Sequence, residues 1–188
     1  MDDVTLKVQK LFDNAPMPAK PKTKTDSGFD VYAHNCKMIY AHSGGNSERK
    51  YVDESMNIRF IEPGVLELQQ GERALIGTGL KMTMGPGYEL QVRPRSGNAL
   101  KRGLTIVNTP GTVDEAYRGE VGVIILNTSR QTQQIKLGEA IAQIVPVKVE
   151  LPEIEECIIP DNKKRGDDGY GSTDNPEKKK TPFNFMRL

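Results

Sequence analysis

The chain has 188 residues, a length that fits one domain of ordinary size with a single substantial core. Its 26 lysine and arginine residues nearly balance 25 aspartate and glutamate residues, so the net charge of +1 gives no sign of broad attraction to nucleic acid or membrane. No apolar run is long enough to cross a bilayer, and Met1-Asp2-Asp3 lacks the features of a secretory signal, so we expect a soluble intracellular protein, in the cytoplasm or in a host cytoplasm if viral.

Strand signals recur along the chain from its first residues. Apolar residues alternate with others over residues 4–8 and 88–92, which predicts half-buried strands. Apolar or β-branched stretches favour further strands over residues 72–84, 121–126 and 140–149. Turns are predicted at Pro63-Gly64, Pro86-Gly87 and Pro110-Gly111, and a short helix at 98–102. The pattern predicts an all-β fold of the barrel or jelly-roll type.

Two segments do not fit this strand pattern. Residues 34–57 are polar and centre on Ser43-Gly44-Gly45-Asn46-Ser47, which predicts a surface insertion. The residues after Asp174 combine lysines with a few apolar side chains, and disorder is the default for such a terminus. We therefore divide the chain into a body of residues 1–164, a Gly-rich arm of residues 165–174 and a basic, aromatic tail of residues 175–188.

Soft metal ligands are scarce in the sequence. The 2 cysteines are Cys36 and Cys157, and the 2 histidines are His34 and His42. His34 and Cys36 make up only half of a structural zinc site, and nothing nearby supplies the other half. The sequence therefore does not predict a zinc site.

The stretch Arg93-Pro94-Arg95-Ser96-Gly97 follows a predicted strand and precedes the predicted helix. A hydroxyl, backbone N–H groups and a guanidinium would meet at the start of that helix, which favours a site for an anion. A helix cap beside a surface arginine explains these residues equally well, because Ser-Gly is common at such junctions.

The turn-rich connection over residues 108–119 places Asp114 and Tyr117 between two apolar strands. Loops held on rigid strands are where catalytic groups usually lie. Asp114 could equally be an ordinary turn residue, since Asp is frequent in turns.

Residues 165–173 combine 3 glycines, two hydroxyl side chains and Arg165 around Tyr170. Glycine lets backbone N–H groups approach phosphate oxygens, and Ser or Thr adds further donors, so the run is typical of a phosphate-binding loop. A flexible linker is the alternative, although a linker rarely needs an aromatic residue.

These stretches resemble, in order and spacing, the five motifs of the trimeric dUTPase family. The matching segments are residues 26–31, 94–97, 111–119, 138–143 and 165–173. The resemblance spans residues 1 to about 174 outside the insertion, and the third and fifth motifs are the most diagnostic. It implies a jelly-roll-like distorted barrel and hydrolysis of dUTP to dUMP and pyrophosphate by Mg²⁺-assisted attack of water on the α-phosphate, which lowers dUTP and supplies the dTMP precursor.

The resemblance also implies roles for residues of the third motif. Asp114 would hold and help deprotonate the attacking water. Asn108 and the neighbouring backbone of Gly111 and Val113 would recognise uracil. Tyr117 would pack against the deoxyribose and leave no room for a 2′-hydroxyl.

The other motifs are implied to bind the triphosphate. Arg95, Ser96, Gly97 and Gln143 would contact phosphates, and Asp30 would support both the second motif and the Mg²⁺ hydration shell. In this family the metal is held chiefly by phosphates and water, in keeping with the few protein ligands that Mg²⁺ requires.

The fifth motif is implied to close over the nucleotide as a lid. Arg165 would contact the γ-phosphate, Tyr170 would stack on uracil, and Gly171, Ser172 and Thr173 would donate hydrogen bonds to phosphates. Family members are homotrimers in which each site draws on three subunits, so the same assembly is implied here.

The chain departs from the family pattern at six positions. The departures, with the usual residue in parentheses, are Ser27 (Ala), Phe29 (Tyr), Ala140 (Arg), Asp168 (Gly), Tyr170 (Phe) and Asp174 (Gly). Tyr170 can still stack. Asp168 adds negative charge beside a polyphosphate site, and Ala140 removes a cation from the fourth motif.

Two alternatives stay open on the sequence. A dCTP deaminase-like enzyme of the same superfamily would carry a catalytic Glu on the strand after the third motif, where residues 121–126 contain no carboxylate. A regulatory binding protein would use a dUTPase-like body to engage a partner through residues 34–57 or 175–188. Asp114 and the fifth motif favour an enzyme.

Overall fold

The computed structural model describes residues 5–21, 23, 25–43, 46–51, 60–62 and 64–160. The helix is α1 (Ser96–Arg102), and the strands are β1 (Lys7–Lys10), β2 (Phe29–Tyr32), β3 (Asn35–Ser43), β4 (Asn46–Tyr51), β5 (Phe60–Glu62), β6 (Val65–Leu68), β7 (Arg73–Gly77), β8 (Leu80–Thr83), β9 (Tyr88–Arg93), β10 (Leu104–Ile106), β11 (Gly111–Val113), β12 (Gly122–Asn127), β13 (Gln133–Lys136) and β14 (Ala140–Lys148). These elements confirm the predicted all-β, jelly-roll-like fold with one short helix among the described residues.

The strands form two larger and two smaller antiparallel sheets. The five-stranded sheet has the order β10-β12-β7-β3-β4, and the four-stranded sheet has the order β11-β9-β14-β2. A three-stranded sheet, β13-β6-β5, and the pair β1-β8 complete the arrangement. Neighbouring strands in these orders are mostly far apart in sequence, so the sheets hold distant segments of the chain together.

Alternation along the strands places one side of each large sheet in the core. On β9, Leu90 and Val92 are buried, whereas Gln91 and Arg93 between and after them are half-buried. On β12, Val123 and Ile125 are buried in the same alternating way. This period of two is the signal that predicted β9, and β12, which was predicted from its apolar residues, shows it too.

The helix α1 begins two residues before the predicted segment and ends where predicted. Gly103 follows it in the left-handed conformation with φ of 64°, and its N–H donates to the carbonyl of Ala99. Glycine adopts this conformation at little cost, so it stops the helix.

The first part of the segment 34–57 contains two strands, although its sequence did not fit the strand pattern. That the segment is an insertion stays a prediction. β3 and β4 form a hairpin, and β3 also pairs with β7 as an inner strand of the five-stranded sheet. Cys36 and Ile39 on β3 are buried. A register shift between Cys36 and Met38 breaks the alternation, so the sequence pattern does not predict the strand. Residues 52–57 lie outside the described residues.

The chain divides into two compact units. The first ends at Glu150 and the second begins at Leu151. In the second unit, residues 151–160 are exposed and have no helix or strand. The predicted boundary at 164 stays a prediction, and the predicted arm and tail lie outside the described residues. None of the described helices is long and apolar enough to span a membrane.

Candidate functional site

A pocket of about 310 Å³ lies beside β11. The connection between β10 and β12 contributes Asn108, Asp114 and Tyr117 to its wall. The five-stranded sheet contributes half-buried Leu75 from β7 and Ile124 from β12, which are register partners. We call this the β11 pocket. It combines an apolar floor with a carboxylate, an amide and an aromatic ring, as small-molecule sites usually do.

The loop after β11 is held by its own backbone. The N–H of Tyr117 donates to the carbonyl of Asp114 at 3.0 Å, which closes a turn between them. The Tyr117 hydroxyl donates to the carbonyl of Glu120 at 3.0 Å. A Cβ on Gly119 would lie 2.3 Å from the hydroxyl oxygen of Tyr117, so a side chain there would displace the ring.

The two carboxylates of the β11 pocket have different surroundings. Asp114 is exposed, and no side chain or N–H group of the described residues donates to its carboxylate. Glu120, in contrast, accepts from the N–H of Gly79 at 2.7 Å and from Nδ2 of Asn35 at 3.3 Å, and its Oε2 lies 2.5 Å from Nζ of Lys37. Asp114 is therefore the carboxylate available to a ligand.

Lys37 and Glu120 line the β11 pocket although no sequence motif predicted them. Glu120 directly follows the third motif, and that adjacency was the signal that could have found it. Lys37 lies in the segment predicted to be an insertion, and only the pairing of β3 with β7 brings it to the pocket.

A second cluster forms where the second and fourth motifs meet β2. Asp30 receives two hydrogen bonds from Arg95, Nε to Oδ1 at 3.0 Å and Nη2 to Oδ2 at 3.1 Å. Nη1 of Arg95 donates to the carbonyl of Ala140 at 3.1 Å, and Nε2 of Gln143 donates to the carbonyl of Pro94 at 3.1 Å. We call these residues the Asp30–Arg95 cluster.

Strand register explains why these residues meet. On the four-stranded sheet, Gln143 of β14 pairs with Asp30 of β2 on one side and with Arg93 of β9 on the other. Directly opposed residues of antiparallel strands point to the same face. Gly28 leaves room for the side chain of Gln143, because a Cβ on residue 28 would lie 2.4 Å from Oε1 of Gln143.

The Asp30–Arg95 cluster and the β11 pocket are separate places on the first unit. β11 and β2 are the two edges of the four-stranded sheet, three strand spacings apart. At about 4.8 Å per spacing, the strands β11 and β2 are about 14 Å apart. A second pocket of about 500 Å³, lined among others by Asp26, Ser27 and Asp30, adjoins the cluster.

The predicted site residues fall into three groups. Asn108, Val113, Asp114 and Tyr117 line the β11 pocket, and Gly111 begins β11 beside it. Asp30, Arg95 and Gln143 form the Asp30–Arg95 cluster, with exposed Ser96 and Gly97 following at the start of α1. Arg165, Tyr170, Gly171, Ser172 and Thr173 lie outside the described residues, as do Asp168 and Asp174.

Three of the departures from the family pattern lie in the described part of the chain. The backbone carbonyl of Ala140 accepts hydrogen bonds from Arg95 and from Nδ2 of Asn98, so this position contacts the second motif without a long side chain. Ser27 lines the second pocket, and Phe29 pairs with Ile144 on β14.

A magnesium ion needs oxygen ligands, which carboxylates, phosphates or water can supply. No group of three His, Cys, Asp or Glu side chains within the described ranges could hold a metal ion. Both oxygens of Asp30 already accept from Arg95, but each carboxylate oxygen has a second lone pair for a water molecule. The residues present therefore fit an ion held by ligand oxygens and water, with Asp30 outside its direct shell.

Comparison with known proteins gives consistent matches. A family model described as dUTPase matches residues 62–174. A deoxyuridine 5′-triphosphate nucleotidohydrolase of Ehrlichia canis is 38% identical over 174 residues, which cover 91% of this chain and 95% of the relative.

Solved structures agree on the fold. A variant of the phage 80alpha dUTPase is 25% identical, with a TM-score of 0.66, and the match covers 92% of this chain and 99% of that chain. A variant of the dUTPase from phage phi11 of S. aureus, solved to show the coordination of a structural Mg(II) ion, is 24% identical with a TM-score of 0.60, covering 81% and 96%.

Proposed function

The chain belongs to the dUTPase family and is a dUTP diphosphatase, and we propose that a water molecule held by Asp114 attacks the α-phosphate of dUTP and releases dUMP and pyrophosphate. The observation that supports this mechanism best is the single pocket that combines Asn108, Asp114 and Tyr117.

The nucleoside part of dUTP occupies the β11 pocket. Its volume of about 310 Å³ is at the lower end of the range of about 300–1,000 Å³ for small-molecule sites, as a nucleoside requires. β11 is an edge strand, so half of its N–H and C=O groups point away from β9 and are free to pair with the uracil edge. Asn108 adds an amide, and Tyr117 packs against the deoxyribose.

Base selection follows from this arrangement. A site that hydrogen-bonds the edge of uracil leaves its own polar groups unpaired when cytosine enters, so it rejects cytosine by about 10⁴-fold. A thymine methyl group, in contrast, is excluded only by the tightness of the pocket. Backbone groups on a strand held by β9 suit both tasks, because they move little.

The groups that act on the triphosphate come from the β11 pocket and from the Asp30–Arg95 cluster. Asp114 holds the water and accepts its proton as the water attacks in line. Arg95, Ser96, Gly97 and Gln143 bind the phosphates and stabilise the charge that develops on them. The hydrogen bonds of Arg95 to Asp30 and to Ala140 fix the guanidinium before the nucleotide binds.

Magnesium is the metal that fits these residues. Asp30 would hydrogen-bond its water shell beside the second motif, while the triphosphate supplies the direct ligands. When bound, the ion would neutralise charge on the leaving pyrophosphate.

The assembly is proposed to be a homotrimer with shared sites. Within one chain, about 14 Å of sheet separates β2, which carries Asp30, from β11 beside the pocket that holds Asp114. A second copy that brings its own Asp30–Arg95 cluster to the β11 pocket would complete the site, and the arm of a third copy, with Arg165 and Tyr170, would close it. Sedimentation equilibrium should give three times the 20.9 kDa of one chain, and a single-chain mass at micromolar concentration would contradict shared sites.

A hydrolysis assay with dUTP and dCTP separates the proposed function from its alternatives. We expect pyrophosphate and dUMP from dUTP, and no release of ammonia from dCTP. Deamination is not favoured, because β12 presents Gly122 and Ile124 to the pocket and no carboxylate. A protein that bound dUTP without cleaving it would instead support a purely regulatory role.

A further inference from the structure

An ion pair in the wall of the β11 pocket has no part in the reaction described above. Oε2 of Glu120 lies 2.5 Å from Nζ of Lys37, and the Glu120 side chain is only 8% exposed whereas Lys37 is 41% exposed. A buried carboxylate is costly unless it is paired and hydrogen-bonded. The surroundings of Glu120 meet both conditions, so its position is firmly determined.

The Glu120 side chain connects three separate segments. Its Oε1 accepts from the N–H of Gly79, in the turn between β7 and β8, at 2.7 Å and from Nδ2 of Asn35, at the start of β3, at 3.3 Å. Its Oε2 pairs with Lys37, further along β3. The end of the loop that carries Asp114 and Tyr117 is thereby attached to the five-stranded sheet and to the turn beside it.

The backbone of Glu120 holds Tyr117. Its carbonyl accepts from the Tyr117 hydroxyl at 3.0 Å, and the missing side chain of Gly119 leaves the space that this hydroxyl occupies. Tyr117 is 45% exposed, so packing against the protein restrains it only in part. The hydrogen bond to Glu120 therefore makes a large contribution to its orientation.

We propose that Glu120 is a positioning residue that sets the orientation of Tyr117, that Lys37 holds it in place, and that this pair thereby determines how strictly the pocket selects deoxyribose over ribose. The inference rests on the proposed function, because it takes Tyr117 as the ring that packs against the sugar. The pair joins a strand of the β3–β4 hairpin to sugar selection, a role that neither the third motif nor the general chemistry of hydrolysis requires.

A small displacement is sufficient for this effect. Exclusion of a hydroxyl group depends on contact distance, and a radial gap of about 0.5–1 Å already removes much of such a contact. Release of Glu120 would let the 117–120 turn shift by such a distance without any change in Asp114 chemistry. Selectivity should therefore suffer more than turnover.

The test compares kcat and KM for dUTP and UTP in four variants. Glu120→Ala removes all three contacts of the carboxylate, and we expect the UTP-to-dUTP ratio of kcat/KM to rise about tenfold, mainly through KM. Glu120→Gln keeps an oxygen for Gly79 but loses the ion pair, and Lys37→Met loses the same ion pair from its other side. Both should raise the ratio, Glu120→Gln by about threefold and Lys37→Met by at least as much, because Lys37→Met leaves the buried carboxylate unpaired. Lys148→Met, which removes the lysine of an exposed pair with Glu150, is the control and should change nothing.

Several outcomes would overturn the inference. If Glu120→Ala lowered kcat/KM equally for both nucleotides, the residue would have a general structural role only. If Glu120→Gln raised the ratio and Lys37→Met left it unchanged, the ion pair would not be the relevant contact. If Glu120→Ala does not fold, the UTP-to-dUTP ratio of Lys37→Met tests the inference instead, since that variant keeps the hydrogen bonds of Glu120 with Gly79 and Asn35. A parent enzyme inactive on dUTP would contradict the proposed function itself, whereas an active parent with unchanged selectivity in Lys37→Met would contradict this inference alone.

Discussion

Asp114 of the β11 pocket and Asp30 of the Asp30–Arg95 cluster are held in opposite ways. Asp30 accepts two hydrogen bonds from Arg95, whereas Asp114 accepts none from the described residues. The cluster is formed before any ligand arrives, while the pocket presents an exposed carboxylate on a loop. A substitution in the cluster therefore disturbs its neighbours, and a substitution of Asp114 changes chemistry with little effect on structure.

Asp114→Asn is expected to have the largest effect. The amide cannot accept the proton of the attacking water, and general-base catalysis contributes about 10²–10⁴-fold to turnover. Binding of the nucleotide should change little, because the substitution affects the transition state more than the ground state. Single-turnover hydrolysis of dUTP measures the first effect, and calorimetric titration with a non-hydrolysable dUTP analogue measures the second. Asp13→Asn, another exposed carboxylate, serves as the control, and near-normal turnover of Asp114→Asn would contradict the assignment.

Truncation before Arg165 tests whether the β11 pocket and the Asp30–Arg95 cluster support dUTP hydrolysis without the arm. It removes a guanidinium, the Tyr170 ring and the phosphate donors that follow, and single losses of this kind cost about 10²–10³ in rate. We expect a folded but nearly inactive enzyme, because the buried core lies within the first unit. Circular dichroism and dUTP hydrolysis are measured together. An active truncated enzyme would show that the arm is dispensable.

Asp30→Asn tests the prearranged cluster. The bidentate contact loses its charge, so Arg95 is less well oriented, and we expect KM for dUTP to rise about tenfold with a smaller change in kcat. Both side chains are about one-third exposed, at 36% and 35%, so the free energy of unfolding should fall by less than about 1 kcal/mol. Glu150→Gln, which breaks an exposed pair with Lys148, is the control. An unchanged KM would mean that Arg95 does not need Asp30 to be oriented for dUTP binding.

Truncation after Asn175 should have the smallest effect. It removes lysines and apolar residues that the family resemblance does not place near substrate, so activity should stay within about tenfold of the full chain. A thermal melt adds a second result. Lower stability with retained activity would indicate that the apolar tail docks on the protein, and unchanged stability would indicate a free tail. Lost activity would show that the boundary between arm and tail is misplaced.

The sequence predicted those parts of the fold in which the side-chain pattern is local. Tyr88, Leu90 and Val92 alternate without interruption, and β9 lies where they predict it. The strand β3 was missed because its register shift between Cys36 and Met38 interrupts the same pattern. An irregularity that is obvious in a sheet is indistinguishable from a polar loop when only the order of residues is known.

The candidate site shows the same limit. Motif order identified Asp114, Tyr117 and Asn108, which lie near one another in sequence and in the pocket. It did not identify Glu120 and its partners, because Asn35 and Glu120 are 85 residues apart and meet only in the folded chain. Contacts of this kind depend on topology, which a single sequence does not contain.

Lys37 belongs both to the β3–β4 hairpin and to the wall of the β11 pocket. Ser43, at the hairpin end of the strand, lies six positions after Lys37, a span of about 20 Å. Thermodynamic linkage makes any such connection reciprocal. A molecule that binds the β3–β4 hairpin more tightly when a nucleotide occupies the pocket must, by the same factor, raise the affinity of the pocket for that nucleotide. Occupancy of the pocket would then be detectable at the far end of the hairpin.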